Sequence, residues 1–419
     1  LVKAWESKNA KNAAKAGGIS LMALSLAACG GSSTTTTTTP VVDTPVVDDT
    51  PVVVAPTTVA MTTAGDEVVA LTSAQNITAV LSDDTAKTTL NAGDEVTGID
   101  GSGSTLTITD TSGADVTAAL TPAVRGVDNV VHNIDALAVN GSAQVEIAVS
   151  DFAKANSYTF DVTNASSVVN DLVLTGTLDG ASVTTSDDFS AVSITPGATG
   201  DDVVAVVNSA SAALTVVNVA GNVTATGVGA LSLTSTTTTG LVNATSAGNL
   251  TVVNSAAALS VDATSTGGNV TLTDTSAALL INATATGNVT LSDSDAATDI
   301  NVVAGGNVSI TDSGAGDINV KAGGTITIAE SASVAATSAT LSGVGASTVT
   351  ANALATMGIS GNGAAATYTM AAGDHAALAT VNVTGDQDVT LVTVASEIAG
   401  ALKVNDTGSG TFTLDVGTT

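Results

Sequence analysis

Asn254, Asp274, Asp293, Asp312 and Glu330 recur at a near-constant interval, and each is followed by Ser or Thr. Each stands five residues past a repeated anchor, namely Asn249, Asn269, Asn288, Asn307 and Thr325. If the anchors stack, the acids stack with them one strand spacing apart, and like charges that close repel one another or share a cation. Calcium suits such rows of oxygen ligands, so Asp274, Asp293, Asp312 and Glu330 form a candidate metal ladder with Ca2+ as its cofactor. The competing reading is that the acids sit at outward turns and are simply hydrated, because exposed charges interact weakly.

Other chemistry is sparse. His132 and His375 lie far apart, without Cys or His neighbours at metal-ligand spacing, and read as isolated surface histidines. The chain has no GxSxG, phosphate loop, dinucleotide fingerprint or CxxC. A β-helix polysaccharide-active enzyme would need basic groups for a uronate or aromatics for a sugar, and the repeat region offers only Lys321 and no aromatic residue. The expectation is therefore a non-enzymatic protein.

The elements that must position the acids repeat with them. Gly248-Asn249-Leu250-Thr251, Gly268-Asn269-Val270-Thr271, Gly287-Asn288-Val289-Thr290 and Gly306-Asn307-Val308-Ser309 follow one another at steps of 18 to 20 residues. A second phrase keeps the same step: Val242-Asn243-Ala244-Thr245, Val261-Asp262-Ala263-Thr264 and Ile281-Asn282-Ala283-Thr284. Apolar and polar residues alternate with period two in both phrases, and β-branched residues dominate, as in half-buried strands. Gly and Asn at the corners suit the left-handed backbone of a tight turn. A two-strand unit cannot bury its own apolar side and must stack on its neighbours. The sequence thus predicts an all-β chain, a parallel β-solenoid of about 19 residues per coil. The frequent Asn-x-Ser/Thr triplets read as turn corners and side-chain ladders rather than glycosylation sites.

Composition agrees. Aromatics make up 2% of 419 residues while apolar residues make up 44%, which suits a thin core of Val, Ile, Leu and Ala and argues against disorder. The formal charge is −29. Four of nine basic residues, Lys3, Lys8, Lys11 and Lys15, fall in the first fifteen positions, leaving the rest of the chain strongly acidic. Such a surface repels nucleic acid and attracts divalent cations.

Four organisational segments follow. Residues 1–33 carry the lysines, an apolar run from Ile19 to Leu26, and Leu26-Ala27-Ala28-Cys29. This segment resembles the signal and lipobox of bacterial lipoproteins, which implies lipid attachment at Cys29 and an outer-membrane anchor. Uncleaved, residues 2–28 would instead form an Ala/Lys-rich helix suited to a virion anchor. Residues 34–60 read as an extended Thr/Pro/Val/Asp linker, 61–210 as a strand-rich β region, and 211–419 as β-solenoid repeats.

Thr88-Thr89-Leu90-Asn91-Ala92-Gly93-Asp94-Glu95-Val96, Gly101-Ser102-Gly103-Ser104-Thr105-Leu106-Thr107-Ile108 and Asp128-Asn129-Val130-Val131-His132 resemble phrases of the Thr/Ala/Gly-rich surface-layer and calcium-dependent secreted surface proteins of Gram-negative bacteria. The resemblance implies an extracellular structural or adhesive protein on the cell outer surface, partnered by copies of itself or another surface protein. The GGxGxDxxx calcium nonapeptide of such proteins is absent here. A phage tail fibre or virion surface protein is the alternative with the same physics. The fate of residues 1–28 separates the two.

Overall fold

A computed structural model describes residues 57–417 except 66, 83, 85, 92, 112–122, 136–143, 150–151, 154, 164–168, 177, 179–180, 187–188, 196–202, 208–212, 218–220, 235–239, 254–257, 276–278, 295–296, 314–315, 331–335, 352, 372–375, 395–397 and 399. Cys29, Asn254 and His375 lie outside the described residues, as does the side chain of Asp312. Residues 55–419 form one compact unit.

Among the described residues every inter-strand pairing is parallel, and each strand pairs with its equivalent one coil away. The chain is a parallel β-solenoid. Two walls run through the repeats. The first contains Leu241–Ser246, Ser260–Ser265, Leu280–Ala285, Asp299–Ala304 and Asp317–Ala322. The second contains Leu231–Thr234, Leu250–Val253, Val270–Thr273, Val289–Ser294, Val308–Ser313 and Ile326–Ala329. A short third wall of Val68–Ala70, Glu95–Thr97, Ala123–Arg125 and Phe152–Ala153 flanks the first coils.

Stacking continues across residue 210, since Ser182 pairs with Val204 and Val204 with Thr224. What changes there is coil length. Asn76 stands opposite Thr105, Thr105 opposite Asn129 and Asn129 opposite Ser157, much wider steps than the 18 to 20 residues that separate Asn249, Asn269, Asn288, Asn307 and Thr325. Thr57–Ala60, inside the stretch read as linker, already pairs with Gln75–Leu81.

Side-chain volume follows coil width. One inward column reads Ile77, Leu106, Val130, Tyr158 and Val183 in the wide coils, then Ala205, Ala225, Ala244, Ala263 and Ala283 in the narrow ones, and returns through Val302 to Leu341 and Ile359. Alanine holds this position through five narrow coils, Val302 and Val320 hold it in the next two, and the one aromatic ring of the column, Tyr158, stands among the wide coils. A repeat coil buries side chains such as Val270, Leu272 and Ile281 completely, each contributing about 1.5–3 kcal/mol of apolar transfer.

Asparagine ties coils together twice. At the corner before each second-wall strand, Asn249, Asn269, Asn288 and Asn307 turn Oδ1 toward the next coil and accept its backbone N–H, at 2.8 to 3.0 Å. On the outer face of the first wall, Asn282 Nδ2 donates to Asp262 Oδ1, Asn301 Nδ2 to Asn282 Oδ1 and Asn319 Nδ2 to Asn301 Oδ1. The glycines of the Gly-Asn phrases are not in the left-handed region, contrary to the sequence expectation. They are small because a Cβ at Gly268, Gly287, Gly306 or Gly324 would collide with the Oδ1 of the asparagine in the coil before. Within the regular repeats the left-handed corners described are those of Asp274 (φ 54°) and Asp293 (φ 55°).

Ser338–Thr350 and Thr356–Met370 each run through the corner from one wall to the other. Their register shifts between Gly343 and Gly345, and Gly345 takes φ 72°. Tyr368, fully buried, holds this corner: its hydroxyl accepts from Gly343 N at 2.8 Å and approaches Ser360 O at 2.7 Å as donor. Burial pushes its pKa up to about 12 despite the Gly343 hydrogen bond.

Candidate functional site

The acidic ladder sits where the register puts it. Thr273 pairs with Ser292, Ser292 with Thr311 and Thr311 with Ala329, so the next residues, Asp274, Asp293, Asp312 and Glu330, occupy one corner of four successive coils. A short polar side chain tolerates left-handed backbone better than most, which is why aspartate serves at this corner. Asp293 is exposed and Asp274 half-buried. Glu330 leaves the row: it is buried, and its Oε2 accepts the backbone N–H of Ala336. Glu330 therefore does not extend an outward ladder with Asp274 and Asp293, because its longer side chain is turned to the backbone N–H of Ala336. Among the described residues no group of three or more His, Cys, Asp or Glu stands together in a form that could hold a metal ion.

Three aspartates to which the sequence reading gives no role, Asp94, Asp110 and Asp128, do specific work in the wide coils. Asp94 is fully buried, with Oδ1 accepting Glu67 N from the preceding coil at 2.8 Å and Oδ2 accepting Asn91 N at 2.6 Å. Asp128 repeats the device: Oδ1 accepts Gly101 N at 2.7 Å and Asn156 Nδ2 at 3.1 Å, and Oδ2 accepts Gly103 N at 2.6 Å. Burial alone would raise the Asp128 pKa, but the N–H groups of Gly101, Gly103 and Ser104 and the Ser102 hydroxyl outweigh it and hold the carboxyl below its ordinary value. These aspartates belong to the Ala-Gly-Asp and Val-Asp-Asn phrases, whose acid next to a turn residue was the available signal.

His132 is not a surface histidine. It is 2% exposed, inside the stack against Phe160, and its Nε2 lies 3.2 Å from Oδ2 of fully buried Asp110. Its Nδ1 is buried without a hydrogen-bond partner. The pair fills inward positions in the wide coils, where Ile108 and Phe160 are the register neighbours of His132.

The two walls of the repeats differ in their outer faces. The first carries Asp262, Asp299, Asp317 and Lys321, and a shallow groove lined by Asn301, Val303, Asn319, Lys321, Thr340 and Ser342. The second is a lattice of hydroxyls. Ser193, Thr215, Ser232, Thr251, Thr271, Thr290, Ser309, Thr327, Thr348 and Thr369 are consecutive register partners, all solvent-accessible and all alternating with inward residues. No charge interrupts this column. It ends on one side at Val173 and Glu146 and on the other at Val392 and Asp415. Two residues along each strand a second column includes Thr273, Ser292, Thr311 and Thr350, with Ser292 Oγ 3.4 Å from Thr273 Oγ1.

Such a face offers hydroxyls and methyls at about 4.8 Å between coils and about 6.7 Å along the strand. It can form a flat contact without desolvating a charge. No family model, no curated protein and no solved structure matches this chain.

Proposed function

We propose that this chain is a non-enzymatic structural or adhesive protein of a cell outer surface, akin to surface-layer proteins, exported and held by a lipid on Cys29. The observation that carries the reading is the ten-coil hydroxyl column on one wall of a rigid parallel stack, a long chemically uniform face suited to contact rather than catalysis. The acidic balance, formal charge −29, supports a location where the chain must stay soluble beside other acidic surfaces. The deciding experiment is the intact mass of the protein isolated from its source, combined with protease shaving of whole cells. A chain starting at Cys29 with a lipid increment, removed by shaving, is the expected result. A mass that retains residues 1–28 in a purified particle would move the chain to the fibre or virion class.

Calcium enters this reading as a bridge at the Asp274, Asp293 and Asp312 corner. Adding the ion should raise the melting temperature of the full chain, and Asp293→Ala with Asp312→Ala should abolish the rise. No response in the unsubstituted chain would leave those acids simply hydrated.

A further inference from the structure

We infer that the hydroxyl wall is the contact between two copies of this chain, packed face to face with their solenoid axes parallel. The inference deepens the surface-structural reading and rests on it.

The first argument is charge. A chain of formal charge −29 can approach its own copy closely only where it carries none. From Ser193 to Thr369 the central column of the second wall is uncharged through ten coils, whereas the first wall presents Asp262, Asp299 and Asp317. The boundaries reinforce this, since Glu146 and Asp415 close the column at its two ends.

The second argument is area. Ten coils about 4.8 Å apart and strands of about four residues give a face on the order of 600 Å² per copy, or about 1,200 Å² for a pair. That clears the roughly 1,000 Å² a specific interface needs and sits at the weak end of the range. Many copies tethered on one surface would turn so weak a contact into an array.

The edges of the wall set the orientation. One edge carries the Asp274 and Asp293 corner; the other carries exposed Asn269, Asn288 and Asn307. Each of these asparagines spends Oδ1 on the backbone N–H of the next coil, which leaves its amide nitrogen as the donor on the exposed side. A two-fold axis along the solenoid brings the asparagine edge of one copy against the aspartate edge of the other. A two-fold axis running along the strand direction would set acid against acid. Only the parallel pair matches donors to carboxylates without a bridging cation.

The test is sedimentation velocity of the full chain with a chelator present, at low and at raised NaCl. The expected result is a monomer–dimer equilibrium at about 0.2 mM chain, strengthened by salt because screening removes the net repulsion. Thr290→Asp with Ser309→Asp should weaken association at least about tenfold, while Thr264→Asp with Thr284→Asp, the same added charge on the first wall, should leave it within about twofold. Circular dichroism checks that each variant keeps its strands. Should the aspartates unfold the coil, Thr271→Lys with Thr327→Lys replaces them, lysine being already accommodated at the outward position of Lys321.

A monomer under all conditions overturns the inference, and so does a dimer indifferent to both second-wall variants. Association that vanishes with the chelator would assign the contact to the acids and overturn it too. So would a monomeric chain retained on an insoluble neutral polysaccharide and released by the second-wall substitutions. Any of these outcomes in a chain that shaving still removes from cells would sink the contact and leave the surface reading standing.

Discussion

Asp110 and His132 are buried polar side chains that face each other, His132 Nε2 lying 3.2 Å from Asp110 Oδ2. Removing Asp110 leaves the buried His132 ring without the one group its Nε2 meets, so Asp110→Ala should destabilise the protein by about 1–3 kcal/mol. Replacing both with hydrophobes, Asp110→Leu with His132→Phe, should cost far less, because an apolar pair of similar volume needs no partner. Chemical denaturation of the three chains measures the difference. Asp128 makes a different prediction. Its folded pKa lies below its ordinary value of 3.8, so its stabilisation is fully present above that value and is lost as pH falls through the lowered one. Asp128→Asn should therefore be less stable than the parent at pH 6, and the gap should close on acidification below pH about 4, as read from melting temperatures.

The coil is the element, and its glycines are where it is most exposed to damage. Gly287 lies against Asn269 Oδ1, which in turn accepts Asn288 N at 2.8 Å. Gly287→Ala should push the asparagine out of place and destabilise the stack by about 1–3 kcal/mol, while Asn269→Ala in the same chain should relieve only the part owed to that amide, since the new Cβ also meets the backbone oxygen of Gly268 at 2.8 Å. Non-additivity in a double-mutant cycle on thermal unfolding is the signature. Asn269 and its equivalents show why the repeats were legible: a fixed coil length makes each contact recur at a fixed step, so the ladder writes itself into the sequence. The wide coils leave no such trace. Asp128 reaches Gly101 and Asp94 reaches Glu67 across spans of 27 residues, but His132 reaches Asp110 across 22. Glu330 departs from the row for a related reason: its position in the repeat is regular, but its longer side chain accepts the backbone N–H of Ala336. The hydroxyl wall was written in the sequence as strand alternation, but only the register revealed that ten such residues form one uncharged line.

Across the ten coils from Ser193 to Thr369, charge is kept off the central outward column of the second wall. Thr, Ser and buried aliphatics alternate on the second wall, while Asp262, Asp299 and Asp317 collect on the first. An acidic chain gains solubility from the charged wall and keeps the other free for contact. Among the described residues each strand pairs with its equivalents in the adjacent coils, so stability accumulates coil by coil, with Asn362 Nδ2 reaching back across one coil to Ala322 O.

The parallel register gives this arrangement a mechanical character. Pulled by its ends, a solenoid loads its terminal coil first, and the hydrogen bonds of that coil part before those beneath feel the full force. Each narrow coil of 18 to 20 residues would then pay out about 60 Å of slack before the next bears tension. A tether built this way lengthens in equal increments and dissipates work at every step, so it yields gradually where a single globular domain would give way at once.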